Sequence, residues 1–175
     1  MTPMLIIIII VGAAVVLTLI FIIKSLLAPK KVAGIYELYK SGKYAAAIKQ
    51  AKMILTNEPR NYELHYILGL SYLGDGKAEL ALMEMKKINE SGDFTGVLQE
   101  IPFRKTTAKL YRDFNQPEEA LKEYLLLIKQ NPDEAQWYYE AGSLFEDRGK
   151  TDSAVTHYKK AIELDPRNSE AHFRL

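Results

Sequence analysis

Apolar residues in the last third of the chain fall into two short stripes that alternate. Tyr138, Ala141, Gly142 and Phe145 are spaced three or four apart and stop at Gly149; Ala154, Tyr158 and Ala161 follow and stop at Pro166. Spacing of this kind predicts two amphipathic helices, with the glycine turning the chain and the proline ending the pair. The same order of residues occurs three times upstream. Leu68, Gly69, Tyr72, Gly76 and Ala81 carry it, then Ala108, Tyr111, Ala120, Tyr124 and Pro132, and, earliest, Gly42, Tyr44, Ala47, Ile54 and Pro59. Pro166 lies 34 residues after Pro132, so the pattern is a repeat of helix pairs. Small residues such as Gly142 and Ala154 are expected where the two helices of a pair cross, with Tyr138, Phe145 and Tyr158 filling the space around them. Asn115 stands where the other units have a turn glycine, and asparagine tolerates the left-handed backbone such a turn needs.

This frame divides the chain into units at 28–61, 62–95, 101–134 and 135–168, with 169–175 opening a fifth. The second unit lacks a closing proline, and the stretch Glu90 to Gly96 lengthens the chain there by five residues, set out as an insertion at 96–100. A repeat helix cannot bury its apolar face alone and arrays normally close on a polar cap; the start of a fifth unit at Ser169 therefore reads as a chain that continues past Leu175.

Residues 1–27 follow a different pattern. Met4 to Ile23 is 20 residues without a charge, and as a helix it would extend about 30 Å, the thickness of a bilayer's hydrocarbon core. No basic stretch precedes it and no small-x-small cleavage site follows, so a retained transmembrane helix is expected rather than a signal peptide. The flanking cations Lys24, Lys30 and Lys31 all lie after the span, which by the positive-inside rule puts the repeats in the cytoplasm.

The total charge of +1 hides an asymmetry. Lys24 to Arg60 holds eight basic residues against Glu37 and Glu58, whereas the rest of the chain has 15 basic and 20 acidic. The basic end matches an anionic bilayer surface, to which Lys40, Lys43, Lys49 and Lys52 would add. The near-neutral total argues against general nucleic-acid binding. With no cysteine, disulfides, thiolate metal sites and a cysteine nucleophile are excluded. His65, His157 and His172 show no metal-ligand spacing, Gly74-Asp75-Gly76 lacks the context of a phosphate loop, and Glu118 and Glu119 sit where a helix N-terminus favours acids. No cofactor, no metal and no catalytic residue is expected: the chain reads as a non-enzyme.

Residues 28 to 175 resemble the tetratricopeptide repeat family at nearly every defining position of the unit 135–168 and at most of those in the other three. The resemblance implies an all-α fold, here a transmembrane helix followed by an α-solenoid of helix-turn-helix repeats wound into a right-handed superhelix. The anchored arrangement is similar to that of bacterial lipopolysaccharide assembly protein B without its metal module. In the family, the first helices line a concave groove that binds peptides or proteins. Its expected lining is Tyr66, Leu70 and Leu73 in the second unit, Lys105, Lys109 and Arg112 in the third, and Tyr139, Ser143 and Glu146 in the fourth. Apolar positions beside three cations suit a peptide with hydrophobic anchors and an acidic group. The carboxylate clamp of chaperone-binding members is not reproduced, since Val32, Tyr36, Ile67, Pro102 and Thr106 occupy its positions. The expectation is a scaffold or adaptor anchored through residues 4–23, binding a protein or peptide partner at the cytoplasmic face of a membrane, with a bacterial inner membrane as the setting. Two alternatives stay open: an extracytoplasmic module assisting envelope proteins, and the regulatory front of a longer enzyme.

Overall fold

A computed structural model describes residues 3–89 and 93–175. All regular structure among them is helical: α1 (Pro3–Lys40), α2 (Tyr44–Leu55), α3 (Tyr62–Gly74), α4 (Ala78–Asn89), α5 (Glu100–Asp113), α6 (Pro117–Gln130), α7 (Ala135–Asp147), α8 (Thr151–Leu164) and the short α9 (Ser169–Arg174). Each helix packs mainly on its neighbours in the chain, the arrangement of a helical-repeat solenoid.

The end of α1 pairs with α2, α3 with α4, α5 with α6 and α7 with α8, and one turn joins every pair. Its central residue has a left-handed backbone in all four: Gly42 (φ 74°), Gly76 (φ 74°), Asn115 (φ 54°) and Gly149 (φ 68°). In each, that residue's N–H and the next one reach back to the preceding helix, as Asn115 N to Arg112 O at 2.9 Å and Gln116 N to Tyr111 O at 2.8 Å. Two otherwise orphaned carbonyls are thereby satisfied. Asn115 thus does the work of the glycines.

Inside each pair the crossing is tight. Ala47, Ala81, Ala120 and Ala154 are buried, and a Cβ placed on Gly142 would come within 2.8 Å of the Tyr158 ring. Between units a cation–ring contact recurs: Lys52 Nζ lies 5.8 Å from the centre of the Tyr72 ring and Lys86 Nζ 5.6 Å from that of Tyr111. Both lysines stand on the second helix of one unit and reach the first helix of the next.

The extra residues between α4 and α5 are partly packed. Leu98 is fully buried, Phe94 lies 5.6 Å from the Phe103 ring, and Val97 donates its N–H to Glu63 Oε1 at 2.9 Å. Beneath them sits a buried charge network. Glu123, with no exposed surface, accepts from Arg104 Nη1 at 2.7 Å and from Asn89 Nδ2 at 2.6 Å; Arg104 also donates to Glu100. Burial alone would lower the Arg104 pKa, but hydrogen bonds to Glu123 and Glu100 more than offset it and hold it raised. Residues 90–92, where the expected insertion begins, lie outside the described residues.

Pro29 stands just inside the first unit, where a proline is expected to interrupt a helix running on from the apolar run. Instead α1 is a single helix of 38 residues that passes through Pro29. A proline in a helix interior deletes one N–H and crowds one carbonyl, which kinks a helix without having to end it. Downstream, Val32 and Ile35 are buried in the first unit's core. Upstream, the described apolar side chains are exposed, including Ile10 (62%) and Leu17 (66%). Among the described residues, which leave out the side chains of several positions in the apolar run, no helix is long and apolar enough to cross a membrane. The side chains of Lys24 and Lys30 likewise lie outside the described residues; Lys31 is exposed.

Candidate peptide-binding site

Two open clefts meet on α5. One, about 460 Å³, is lined by Lys105, Lys109, Arg112, Asp113, Tyr124, Gln136 and Glu140. The other, about 410 Å³, is lined by Leu73, Ala78, Lys105, Thr106, Lys109, Leu110 and Asp113. Lys105 and Lys109 border both because they are one turn apart on the outer face of α5, whose opposite face buries Phe103, Thr107, Ala108 and Tyr111. Both lysines are exposed.

Each expected site residue can be placed. Leu70 and Leu73 are half-buried on α3 and pack against the main core, with Leu73 open to the second cleft. Tyr66 is buried at 5% exposure by the T-shaped contact of Phe103 from α5. Its hydroxyl pKa is raised to about 12 by burial, helped by Tyr36 and Tyr39. Arg112 is exposed like the two lysines but is ion-paired with Glu140 of α7, so the third cation of the stripe already has a carboxylate partner. Tyr139 is half-buried and lines a further hollow of about 340 Å³ with Ser169, Glu170, Phe173 and Arg174. Ser143 is buried. Glu146 accepts the Tyr158 hydroxyl at 2.7 Å and Arg174 Nη1 at 3.2 Å, a structural role in tying α7 to α8 and α9.

Sequence reasoning missed several neighbours. Tyr36 and Tyr39 of α1 stack at 5.8 Å and, in the repeat frame, stand one unit before Leu70 and Leu73. The signal lies in the repeat frame, but this helix is the least regular of the set and its groove positions are correspondingly hard to read from spacing alone. Phe173, 88% exposed, holds the frame position of Tyr66 and Tyr139 in the fifth unit. Glu140 and Gln136 could not be found by frame alone, because their contact with α5 depends on how neighbouring units stack.

The histidines are occupied. Buried His65 sets Nδ1 2.6 Å from Glu84 Oε2 and Nε2 3.0 Å from Pro59 O. Burial works against ionisation of Glu84, but hydrogen bonds from His65 and Lys87 prevail and lower its pKa. His157 Nδ1 meets Ser153 O at 2.8 Å and His172 Nε2 meets Pro166 O at 3.1 Å. Among the described residues no group of acids and histidines could hold a metal ion.

Comparison with known proteins agrees with this architecture. The tetratricopeptide repeat family model matches residues 33–85 and 106–175, and no curated protein matches. Among solved structures, one described as MamA is 23% identical, with a TM-score of 0.61 over 79% of this chain and 78% of that one. YrrB, described as a tetratricopeptide repeat protein with an unusual peptide-binding site, is 15% identical with a TM-score of 0.72, covering 82% of this chain and 72% of its own. A tetratricopeptide repeat protein from Parabacteroides merdae is 22% identical with a TM-score of 0.65, covering 83% and 56% respectively. At such identities the likeness is one of fold. The four turns, the small residues at each crossing and the family match over most of the chain make this protein a member of the tetratricopeptide repeat family.

Proposed function

We propose that the protein is a membrane-tethered scaffold that holds a protein or peptide partner against the face formed by its first helices, at the cytoplasmic side of a bacterial inner membrane, and that it catalyses no reaction. The observation that carries this reading is α1. One helix joins an apolar, outward-facing run to the buried core of the first repeat, so whatever holds the run also holds the solenoid. Tethering favours recruitment, since confinement raises the effective concentration of a weakly bound partner. The clefts beside Lys105 and Lys109 give that partner a place to lie, and the family's habit of binding proteins supports it. The basic flank Lys24, Lys30 and Lys31 supports the cytoplasmic orientation.

Two measurements on the full chain test it. Membranes from cells expressing it are washed with alkaline carbonate, and a reporter active only outside the cytoplasm is fused after Leu175. Retention in the washed membranes with a silent reporter is expected. Release by carbonate would remove the anchor from the reading, and an active reporter would reverse the orientation.

A further inference from the structure

Lys105 and Lys109 differ from the other cations of the binding face. Arg112, next on the same stripe, is held by Glu140, which is only 16% exposed and also accepts Gln136 Nε2 at 2.8 Å. Lys105 and Lys109 are exposed and make no ion pair among the described residues. They stand between two clefts of unlike character. On one side Leu73, Ala78 and Leu110 form an apolar wall; on the other are Tyr124, Gln136 and Glu140. Asp113 borders both.

The geometry points to a particular ligand: a peptide segment with a single carboxylate, bound between Lys105 and Lys109, next to an aliphatic or aromatic side chain that enters the cleft walled by Leu73, Ala78 and Leu110. This rests on the scaffold reading and narrows it. Charge complementarity selects the acid and sets its position, and the apolar cleft of about 410 Å³ has room for a side chain of leucine or phenylalanine size. Glu140 then determines specificity. By neutralising Arg112 it leaves the stripe with two cations to offer, while Asp113, at the border of both clefts, repels a second acid, so polyacidic tracts are disfavoured through like-charge contact.

The test uses the full chain in phosphatidylcholine nanodiscs and a displayed library of random dodecapeptides. Enriched sequences should carry one Asp or Glu within four residues of Leu, Ile, Met or Phe. A fluorescein-labelled peptide of the enriched sequence should bind at least tenfold more weakly to Lys105→Ala/Lys109→Ala, while the pair Lys122→Ala/Lys159→Ala on second helices leaves binding unchanged. Glu140→Gln, which frees Arg112, should shift selection toward peptides with two acids. An enriched sequence without an acid, or one that binds the Lys105/Lys109 variant equally well, overturns the proposal while leaving a scaffold that reads other chemistry. A library that yields nothing overturns both.

Discussion

Gly69 and Gly142 hold the same place in the second and fourth repeats, yet alanine should act oppositely at the two. Replacing a helix-interior glycine by alanine gains up to about 1 kcal/mol in backbone terms. At Gly142 the new Cβ falls 2.8 Å from both Cδ1 and Cε1 of Tyr158 and 3.3 Å from Cγ. That ring is 1% exposed and its hydroxyl is tied to Glu146 at 2.7 Å. It cannot retreat without straining that bond or pressing on the core, and overpacking of this kind costs about 1–3 kcal/mol. A net loss of about 1–2 kcal/mol is expected. At Gly69 the close atom is Met85 Cε at 2.8 Å, the tip of a flexible chain, with Sδ and Ala81 O at 3.5 Å. A rotation of the thioether relieves the contact, so Gly69→Ala should be neutral or slightly stabilising. The third repeat has Ala108 and Tyr124 at these positions, both buried, so a repeat built around that pair tolerates it. The two variants should differ by about 2 kcal/mol, or roughly 4–8 °C in melting temperature for a chain of this size. Thermal unfolding followed by far-ultraviolet circular dichroism measures the difference. Hydrogen exchange should place the loss in α7 and α8, because repeat arrays transmit strain mainly to nearest neighbours. In the Gly142→Ala background, Tyr158→Met, which recreates the partner found in the second repeat, should recover part of the loss. The reasoning fails if Gly142→Ala melts at or above wild type while Gly69→Ala does not.

Two further outcomes are expected. Glu84 has a folded pKa below its ordinary value of 4.5, so it contributes stability that is fully present above pH 4.5 and lost as pH falls through the folded value. Urea unfolding from pH 6 down to pH 3 should therefore show a smaller acid-side loss for Glu84→Gln than for wild type, and parallel curves would contradict the assignment. Glu123→Leu leaves Arg104 buried with only Glu100 as carboxylate partner and should cost about 3–5 kcal/mol in chemical denaturation. Adding Arg104→Met removes the stranded charge and should restore much of it; no recovery would mean the network contributes through packing alone.

The helix pairs were legible in the sequence because their causes are local. A left-handed residue after each first helix, small residues at the crossing and a proline after most second helices act within one unit of 34 residues, so Asn115 could be recognised as a turn residue from position alone. The exposed Lys105 and Lys109 were legible for the same reason, since helical spacing alone assigns the outer face of α5. What lay between units was not. Arg112 meets Glu140 across 28 residues and Tyr66 is covered by Phe103 across the insertion, contacts set by the stacking of one repeat on the next. Nor did local signals reveal that Glu123, an acid on an amphipathic helix, would be fully buried. Its partners, Arg104 and Asn89, come from two other helices. Pro29 shows the opposite limit. Its residue type argued for a break, but the repeat core that takes up Val32 and Ile35 holds the helix together beyond it. Periodicity within the chain determined the elements and their turns; packing between elements decided which of their charges remain available to a ligand, because burial and pairing depend on neighbours distant in sequence.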